Sequence, residues 1–427
     1  MGENADGRGR GMNASLPVEL TRAFDRVLAA THLSRPSDVG DELVRDIEPL
    51  GAADVVFYVP DYAQEVLTPV PATNSPDREV HAIDGTMLGR AFTTSTILQA
   101  PTTPSSGRVR LWIPLLDGTN RVGAMELTLP APDGQVAGDL LAACERYAHF
   151  GSQLLVLKSA YGDSLERLRR RQQMTVAAEL VWRLLPPLTF ATEDVVISGL
   201  AEPAYSLGGD AFDYAVNGST AHVAVLDAMG HGLTAAGLTC FAISAYRQTR
   251  IDGNSLEEAY AAMYAAISDT FGGDRYVTAL LLELDLDTGR LCWLSAGHPP
   301  PLLLRAGRVV KTLEAPPAMP LGLPFDPGVP EVAVESLEPG DQLFVYTDGF
   351  PEARLPDGEL FGMERLIAFL EREAAAKQSV PETLRRLRRV LLKEERSRLR
   401  DDATAVLLSW RSGAERALLP QTVQEAL

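Results

Sequence analysis

Two amphipathic segments open the regular part of the chain. Apolar residues recur at helical spacing over residues 17–31 and 37–49, and the apolar run AADVVFYVP follows at once. Two further apolar runs, VRLWIPLL and RVGAMELTL, are separated by the turn sequence DGTN. Spacings of three and four predict helices, and short apolar runs bounded by turn residues predict strands. We therefore expect a helix–helix–strand module over residues 16–150, preceded by a disordered Gly- and Arg-rich tail over residues 1–15.

A long helical pattern follows this module. Residues 136–185 contain no proline, and six side chains recur there at nearly heptad spacing: Leu154, Tyr161, Leu165, Leu168, Thr175 and Trp182. A seam of this period favours pairing with a second helix. We expect a helical linker over residues 151–190 that pairs with its copy in a homodimer. Because Lys158, Gln172 and Glu179 interrupt the seam, a solvated helix packed on its own domain is the alternative.

Apolar runs and amphipathic segments alternate over residues 191–411. The runs that predict strands are DVVISGLA, AFDYAV, TAHVAVLDA, YVTALLLELD, RLCWLSA, PLLLR, RVVKTL, DQLFVYTD and ATAVLLSW. Helical spacing covers about residues 231–250, 255–271, 363–376 and 380–396. The pattern predicts a multidomain protein of the α/β (α+β) class, with a larger second domain and a C-terminal tail over residues 412–427.

Charge and cysteine usage narrow the classes of partner. The 427 residues include 39 basic and 57 acidic side chains, and the difference is a net charge of −18. Nucleic acid is not an expected partner, because its binding needs clustered positive charge. The apolar runs are of strand length and no leader sequence is recognisable, so we expect a cytoplasmic protein with no membrane partner. Cys144, Cys240 and Cys292 lie far apart in apolar runs, which favours buried thiols over disulfides.

Aspartates at glycine-marked bends are spread over the second half of the chain. They occur in GGDAFD (Gly208–Asp213), DAMGHG (Asp227–Gly232), TDGFPEA (Thr347–Ala353) and RDDATAVLL (Arg400–Leu408). Carboxylates at strand ends can converge on hard divalent cations, which take oxygen ligands. No Cys or His pattern indicates a softer metal. The sequence therefore predicts Mg²⁺ or Mn²⁺ chemistry.

The ordered motifs GGDxxD, DxxGHG, SAGHPP, TDG and DDxT resemble a known family. They are similar to those of the PPM (protein phosphatase 2C-like) serine/threonine phosphatases, in the bacterial SpoIIE/RsbU branch, over about residues 190–410. The resemblance implies an α-β-β-α sandwich, in which two antiparallel sheets pack together with helices on both outer faces. It also implies two Mn²⁺ or Mg²⁺ ions that activate water for direct attack on phosphorus, without a phosphoenzyme.

The same resemblance assigns metal-binding and catalytic roles. Asp227 would bridge the two ions, the carbonyl oxygen of Ala228 would be a further ligand, and Asp348 and Asp401 would complete the centre. Asp210 matches an acidic residue that contacts the site, commonly through water. The four aspartates sum to a charge of −4, which would repel a phosphate dianion. Two divalent cations would neutralise it.

Four neighbouring residues have less definite roles. Asp402 aligns with a position that is often asparagine in the wider family. Asp213 fits a solvated strand residue as well as a position behind the ligands. His231 could protonate the leaving oxygen, but the GHG turn explains it by shape alone. For His298, in SAGHPP, we expect a structural turn before the prolines.

The sequence SGLAEPAYS, before the GGD turn, contains no arginine. Eukaryotic members of the class use an arginine near the corresponding strand to bind phosphate. Substrate binding in this chain is therefore expected to depend on the metals or on a partner surface.

Residues 16–150 resemble a GAF sensor domain in their order of elements, which ends in a hairpin and a long helix. A related PAS-like fold is the alternative. Either would contain a central antiparallel sheet and a pocket for a small ligand. No Cys or His constellation over residues 16–130 indicates haem or a metal. A dimerisation module that binds no ligand fits equally well.

Together the resemblances imply a signalling enzyme, in which the sensor controls a protein phosphatase. The implied substrates are phosphorylated STAS-domain antagonists of anti-sigma factors. A non-catalytic regulatory protein that binds such partners is the alternative, although a pseudoenzyme has no need to keep the aspartates. GGDAF also resembles the GGDEF signature of diguanylate cyclases, but that interpretation leaves DAMGHG, TDG and DDAT unexplained.

Overall fold

The chain divides into two compact units. The computed structural model describes residues 16–73, 78–103, 107–354, 358–394 and 401–424. The first unit comprises residues 1–171 together with 416–427, and the second comprises residues 172–415. The predicted disordered tail over residues 1–15 lies outside the described residues.

A six-stranded antiparallel sheet forms the centre of the first unit. Its strands are β1 (Ala53–Pro60), β2 (Val66–Pro69), β3 (His81–Ala82), β4 (Leu98–Pro101), β5 (Arg108–Asp117) and β6 (Asn120–Pro130), in the order β3-β2-β1-β6-β5-β4. Short 3₁₀ turns cover Pro36–Asp38 and Glu48–Leu50. The helices are α1 (Leu16–Thr31), α2 (Val39–Ile47), α3 (Met87–Thr94) and α4 (Gly138–Ser159).

Helices cover both faces of this sheet, which explains the unbroken apolar run of β1. Phe57 points into a core shared with α1, α2 and α4. Its neighbour Tyr58 points into a second core under α3. Successive side chains of a strand alternate between faces, so a strand covered on both sides is apolar throughout. The central antiparallel sheet agrees with the predicted sensor module, and the choice between a GAF-like and a PAS-like fold stays a prediction.

The predicted continuous helix over residues 136–185 is wrong. α4 ends at Ser159, and two separate helices follow, α5 (Ser164–Arg169) and α6 (Val176–Leu184). Gly162 and Asp163 are poor helix formers at the first interruption. At the second, the Thr175 side chain accepts a hydrogen bond from the backbone N–H of Ala178 at 3.1 Å and caps α6. Leu165, expected in the seam that pairs with a second helix, is buried in the core of the first unit.

Two six-stranded sheets form the second unit. Its strands are β7 (Thr189–Ala191), β8 (Val195–Glu202), β9 (Asp210–Asn217), β10 (Thr220–Ala228), β11 (Val277–Asp285), β12 (Arg290–Ala296), β13 (Leu302–Arg305), β14 (Arg308–Thr312), β15 (Pro317–Ala318), β16 (Ala333–Ser336), β17 (Gln342–Tyr346) and β18 (Ala403–Trp410). Sheet I has the order β15-β12-β11-β10-β9, with β16 also paired to β12. Sheet II has the order β14-β13-β17-β18-β8-β7. All pairings are antiparallel except that of β12 with β15.

The two sheets pack face to face. Val223 and Leu282 of sheet I meet Val345 and Val406 of sheet II in one apolar core. Helices α7 (Leu233–Ile251) and α8 (Leu256–Phe271) cover sheet I, whereas α9 (Gly362–Ala375) and α10 (Val380–Glu394) cover sheet II. This arrangement confirms the predicted α-β-β-α sandwich. The nine predicted strands are all present, while the short strands β7, β15 and β16 were not predicted.

The residues after β18 return to the first unit. A 3₁₀ turn covers Ala414–Leu418, and α11 covers Gln421–Gln424. The backbone N–H groups of Gln421 and Thr422 donate to the Glu145 carboxylate of α4 at 2.6 and 2.7 Å. Leu418 is buried. The stretch expected as a C-terminal tail therefore supplies hydrogen-bond donors to the first unit.

The described residues also show the state of the cysteines and the character of the helices. All three cysteines are free thiols, with Cys144 buried and the other two half-buried, as predicted. Among the described helices, none combines the length and the apolar character that crossing a membrane requires.

Candidate functional site

Asp210 and Asp227 meet at one end of sheet I. The apolar residues of β10 are buried between its neighbours, and the strand ends with Asp227 and Ala228. In the antiparallel register of β9 and β10, Asp227 lies opposite Asp210. On its other side Asp227 lies opposite Thr278 of β11. Burial of the strand thus fixes two carboxylates side by side at the sheet end.

Sheet II brings three more aspartates to the same end of the sandwich. Asp348 follows β17, and Asp401 and Asp402 precede β18, which pairs with β17 in antiparallel register. The backbone N–H of Thr347 donates to the carbonyl oxygen of Thr404 at 2.9 Å, which continues this pairing beyond the strand. Together with Asp210 and Asp227, these three residues form what we call the carboxylate cluster.

Hydrogen bonds through the Thr347 hydroxyl join the two sheets at the cluster. This buried hydroxyl donates to Oδ2 of Asp210 at 2.7 Å and accepts from the backbone N–H of Thr404 at 2.9 Å. The side chain of Asp210 is therefore held by sheet II although its backbone belongs to sheet I.

Asp402 holds the GGD turn. Its Oδ2 atom accepts from the backbone N–H groups of Gly208 at 2.9 Å, Gly209 at 2.6 Å and Asp210 at 3.4 Å. Gly349 lets the other loop of sheet II approach, since a Cβ atom there would lie 1.9 Å from the carbonyl oxygen of Asp402. Glycine is required at this position by close packing.

The carboxylates of the cluster disfavour one another's ionised form. Burial raises the pKa of Asp227 to about 7, and the charges of Asp348 and Asp401 add to the shift. The pKa of Asp210 lies well above its usual range, first because of burial and then because of the Asp227 and Asp402 charges. Burial also raises the pKa of Asp348 and of Asp402, with a further contribution from Asp401. The surroundings of these four carboxylates therefore disfavour their ionised form.

The side chains of the cluster are not closed around a common point. In the part of the chain that the structure describes, no group of three or more His, Cys, Asp or Glu side chains is arranged so that it could hold a metal ion. The donor chemistry nevertheless fits a hard divalent cation, because the donors are carboxylate oxygens whose charges act on one another. A metal centre on these residues requires the carboxylates to move together or backbone and water oxygens to complete the ligand set.

Three other candidate residues lie in different surroundings. Asp213 is buried and binds Arg247 at 2.6 Å and Arg250 at 2.7 Å, both on α7, so its interpretation as a solvated residue is wrong. His298 is also buried. Its Nδ1 lies 2.9 Å from the hydroxyl of Thr278, and burial lowers its pKa to about 3, so the ring is neutral.

His231 is exposed in the turn between β10 and α7. The flanking Gly230 and Gly232 both have positive φ, 88° and 76°, so the turn needs glycine at these positions. The assignment of His231 as a proton donor stays a prediction.

Sequence reasoning missed the roles of Thr347 and Asp402. Thr347 lies within the quoted TDG motif, but its hydroxyl bonds Asp210, 137 residues earlier in the chain. Asp402 was interpreted only as an uncertain neighbour of the ligands. The paired glycines of the GGD turn were the available signal, because adjacent glycines leave backbone N–H groups open to a carboxylate.

Comparisons with known proteins place the second unit in a family. Residues 217–411 match the family model of stage II sporulation protein E (SpoIIE). The chain is similar to protein IcfG of Synechocystis sp., with 28% identity over 249 residues, 51% of this chain and 38% of IcfG. It is also similar to the phosphoserine phosphatase RsbU of Bacillus subtilis, with 22% identity over 243 residues, 56% of this chain and 70% of RsbU.

Among solved structures, the chain is similar to the RsbU and RsbW domains of a Mycobacterium tuberculosis protein. The identity is 28%, the match covers 51% of this chain and 62% of the other, and the TM-score is 0.44. This chain spans well under half the length of IcfG. The matched family region contains Asp227, Asp348 and Asp401 and begins after Asp210. Residues 217–411 of the second unit are therefore similar to the SpoIIE family over somewhat less than half of the chain.

Proposed function

We propose that this protein is a divalent-metal-dependent serine/threonine protein phosphatase. The observation that carries the proposal is the carboxylate cluster, in which five aspartates from two sheets meet and burial together with neighbouring carboxylates raises the pKa of Asp210, Asp227, Asp348 and Asp402. Such a set costs stability unless cations neutralise it. The similarity to a phosphoserine phosphatase, RsbU, supports the reaction class.

Asp227, Asp348, Asp401 and the carbonyl oxygen of Ala228 would hold two Mn²⁺ or Mg²⁺ ions, with Asp210 beside them. When bound, such ions lower the pKa of water towards neutrality and stabilise the charge of an in-line displacement at phosphorus.

Other residues hold these proposed ligands in position. Thr347 donates to Asp210, and this hydrogen bond lowers the pKa of that buried carboxyl against the effect of burial. Asp402 accepts hydrogen bonds from the backbone of the GGD turn and so fixes the position of the Asp210 backbone. Ligands held before the ions arrive need less reorganisation during catalysis.

The surroundings of the cluster suit a protein substrate. Met229 lies in the turn after Asp227 and Leu233 begins α7, and they leave 40% and 59% of their surface exposed. Large exposed apolar side chains beside a polar site favour contact with a protein surface. We infer a phosphorylated STAS-domain antagonist of an anti-sigma factor as the substrate, a cytoplasmic location, and a GAF-like first unit that binds a small ligand in a homodimer.

Phosphate release tests the proposal. The protein with Mn²⁺ should hydrolyse p-nitrophenyl phosphate and a phosphoserine STAS protein from the same genome, and excess chelator should stop both reactions. Asp227→Asn should lower turnover at least about a hundredfold, because several kcal/mol of transition-state stabilisation depend on bound metal. Asp252→Asn, an exposed aspartate beyond the far end of α7, is the matched control.

Undiminished hydrolysis in excess chelator would contradict the metal-dependent mechanism. Absence of any hydrolysis, combined with tight binding of the STAS protein, would favour the alternative of a non-catalytic regulatory protein.

A further inference from the structure

An arginine lies against the loop that follows Asp227. The antiparallel register pairs Ala228 with Val277, and the backbone N–H of Met229 donates to the carbonyl oxygen of Tyr276 at 3.0 Å. One step further along the same register, Arg275 lies opposite Gly230. A Cβ atom added to Gly230 would lie 4.0 Å from Nη1 of Arg275. The guanidinium is thus placed over the DAMGHG loop by the backbone pairing itself.

This guanidinium has no competing partner in the described ranges. Arg275 is exposed, and its side chain forms no hydrogen bond or ion pair with the residues that the structure describes. Three other described arginines of the second unit bind buried carboxylates outside the cluster. Arg247 and Arg250 bind the buried Asp213, and Arg388 binds the buried Glu202.

A free arginine beside the loop that follows Asp227 attracts an anion that approaches this loop. The planar guanidinium can form two parallel hydrogen bonds to phosphate oxygens, and its charge persists at any physiological pH. An arginine at this position would also supply the phosphate-binding cation that the segment SGLAEPAYS lacks, because that segment, on the other side of the GGD turn, contains no arginine.

We propose that Arg275 binds a phosphate oxygen of the substrate, and so supplies the phosphate-binding cation from the start of β11. This inference rests on the proposed phosphatase function. It makes Arg275 a substrate-binding residue and gives the loop between α8 and β11 a part in recognising the phosphorylated side chain.

Two substitutions and one control test the role. Arg275→Ala should lower kcat/KM for p-nitrophenyl phosphate and for the phosphoserine protein about ten- to a hundredfold, the usual effect of losing a hydrogen bond between charged groups. Arg275→Lys should recover part of the loss, because it keeps the charge without the planar fork. Arg290→Ala should leave kcat/KM unchanged for both substrates, because this exposed arginine begins β12 at the opposite end of sheet I.

Calorimetric titration of inorganic phosphate in the presence of Mn²⁺ gives a readout that does not need turnover. Arg275→Ala should weaken phosphate binding at least about tenfold, with the melting midpoint and the Mn²⁺ affinity unchanged. Wild-type phosphate affinity and wild-type kcat/KM in this variant would overturn the inference while leaving the phosphatase intact. Arginine-dependent phosphate binding by a protein without hydrolytic activity would support Arg275 and refute the proposed phosphatase function.

Discussion

Asp227 illustrates how a residue that we propose as a metal ligand can oppose folding. Its pKa is raised from the usual 3.8 to about 7, because the carboxyl is buried beside other carboxylates. Between these two pH values the folded protein keeps a proton that the unfolded chain has lost. The free energy of unfolding of the metal-free protein therefore falls as pH rises from about 4 to about 7.

Asp227→Asn should remove this penalty. In chelator at pH 8 we expect the second unit of the variant to melt at a higher temperature than wild type, by about 2–4 °C for each kcal/mol gained. The difference should be smaller at pH 5. Added Mn²⁺ should stabilise wild type alone, because only wild type keeps the carboxylate that we propose as a metal ligand. Thermal melts at both pH values measure this, and a difference independent of pH would contradict the electrostatic explanation.

The adjacent Asp401 and Asp402 should respond differently to the same substitution. Asp401→Asn should lower turnover at least about tenfold more than Asp402→Asn, because asparagine at 402 keeps an oxygen that can accept from the GGD turn. Asp402→Ala should instead lower the free energy of unfolding by about 1–3 kcal/mol, since it leaves buried N–H groups unpaired. Turnover and urea unfolding of the three variants measure these differences. Equal losses for the two asparagine variants would mean that the ligand assignment in this motif is wrong.

At the scale of elements, a buried ion pair attaches α10 to sheet II. Arg388 of α10 donates to Glu202 at the end of β8, and both side chains are buried. Glu202 also accepts from the backbone N–H of Ala204 at 3.0 Å. Removing one member of such a pair leaves an uncompensated charge inside the protein.

Arg388→Met should lower the free energy of unfolding by about 3–5 kcal/mol. The double variant Glu202→Gln with Arg388→Met should recover part of that loss, because no buried charge then remains unpaired. Denaturant unfolding of the single and double variants measures both effects. A double variant no more stable than the single one would show that packing around the pair, and not its charge, holds α10.

The sequence predicted elements well where local pattern determines them. The apolar runs of β10 and β17 each end in an aspartate, and the strand ends do meet. The prediction of a continuous helical linker was wrong because heptad spacing continues across Gly162, where local backbone preference outweighs the periodic pattern. The hydrogen bonds of Asp402 to the GGD turn could not be predicted, because they join residues about 190 positions apart and depend on how the two sheets pack.

At the scale of the whole molecule, the chain passes between its two units twice. It leaves the first unit at Arg171 and returns at Arg416. Leu418 and the bonds from Gln421 and Thr422 to Glu145 then add to the first unit. A cut at the first crossing therefore leaves the two fragments sharing one folded unit.

A site for a specific protease inserted after Arg171 tests this arrangement. The segment is accessible, because Arg171 and Gln172 are exposed. After cleavage we expect two bands on a denaturing gel and one species of unchanged mass in solution. Leu418→Asp in the same cleavable protein should weaken the association, since burying a carboxylate there is unfavourable. Fragments that separate without this substitution would contradict the shared unit.

The order of synthesis gives the second crossing another consequence. The ribosome releases residues 1–171 before it has made the segment whose N–H groups meet Glu145. At about 5–20 residues per second, the intervening second unit takes about 12–50 s to translate. During that interval Glu145 lacks those donors, while the second unit is contiguous in sequence and can fold as soon as it emerges. Of the two units, the one whose synthesis begins first is therefore completed last.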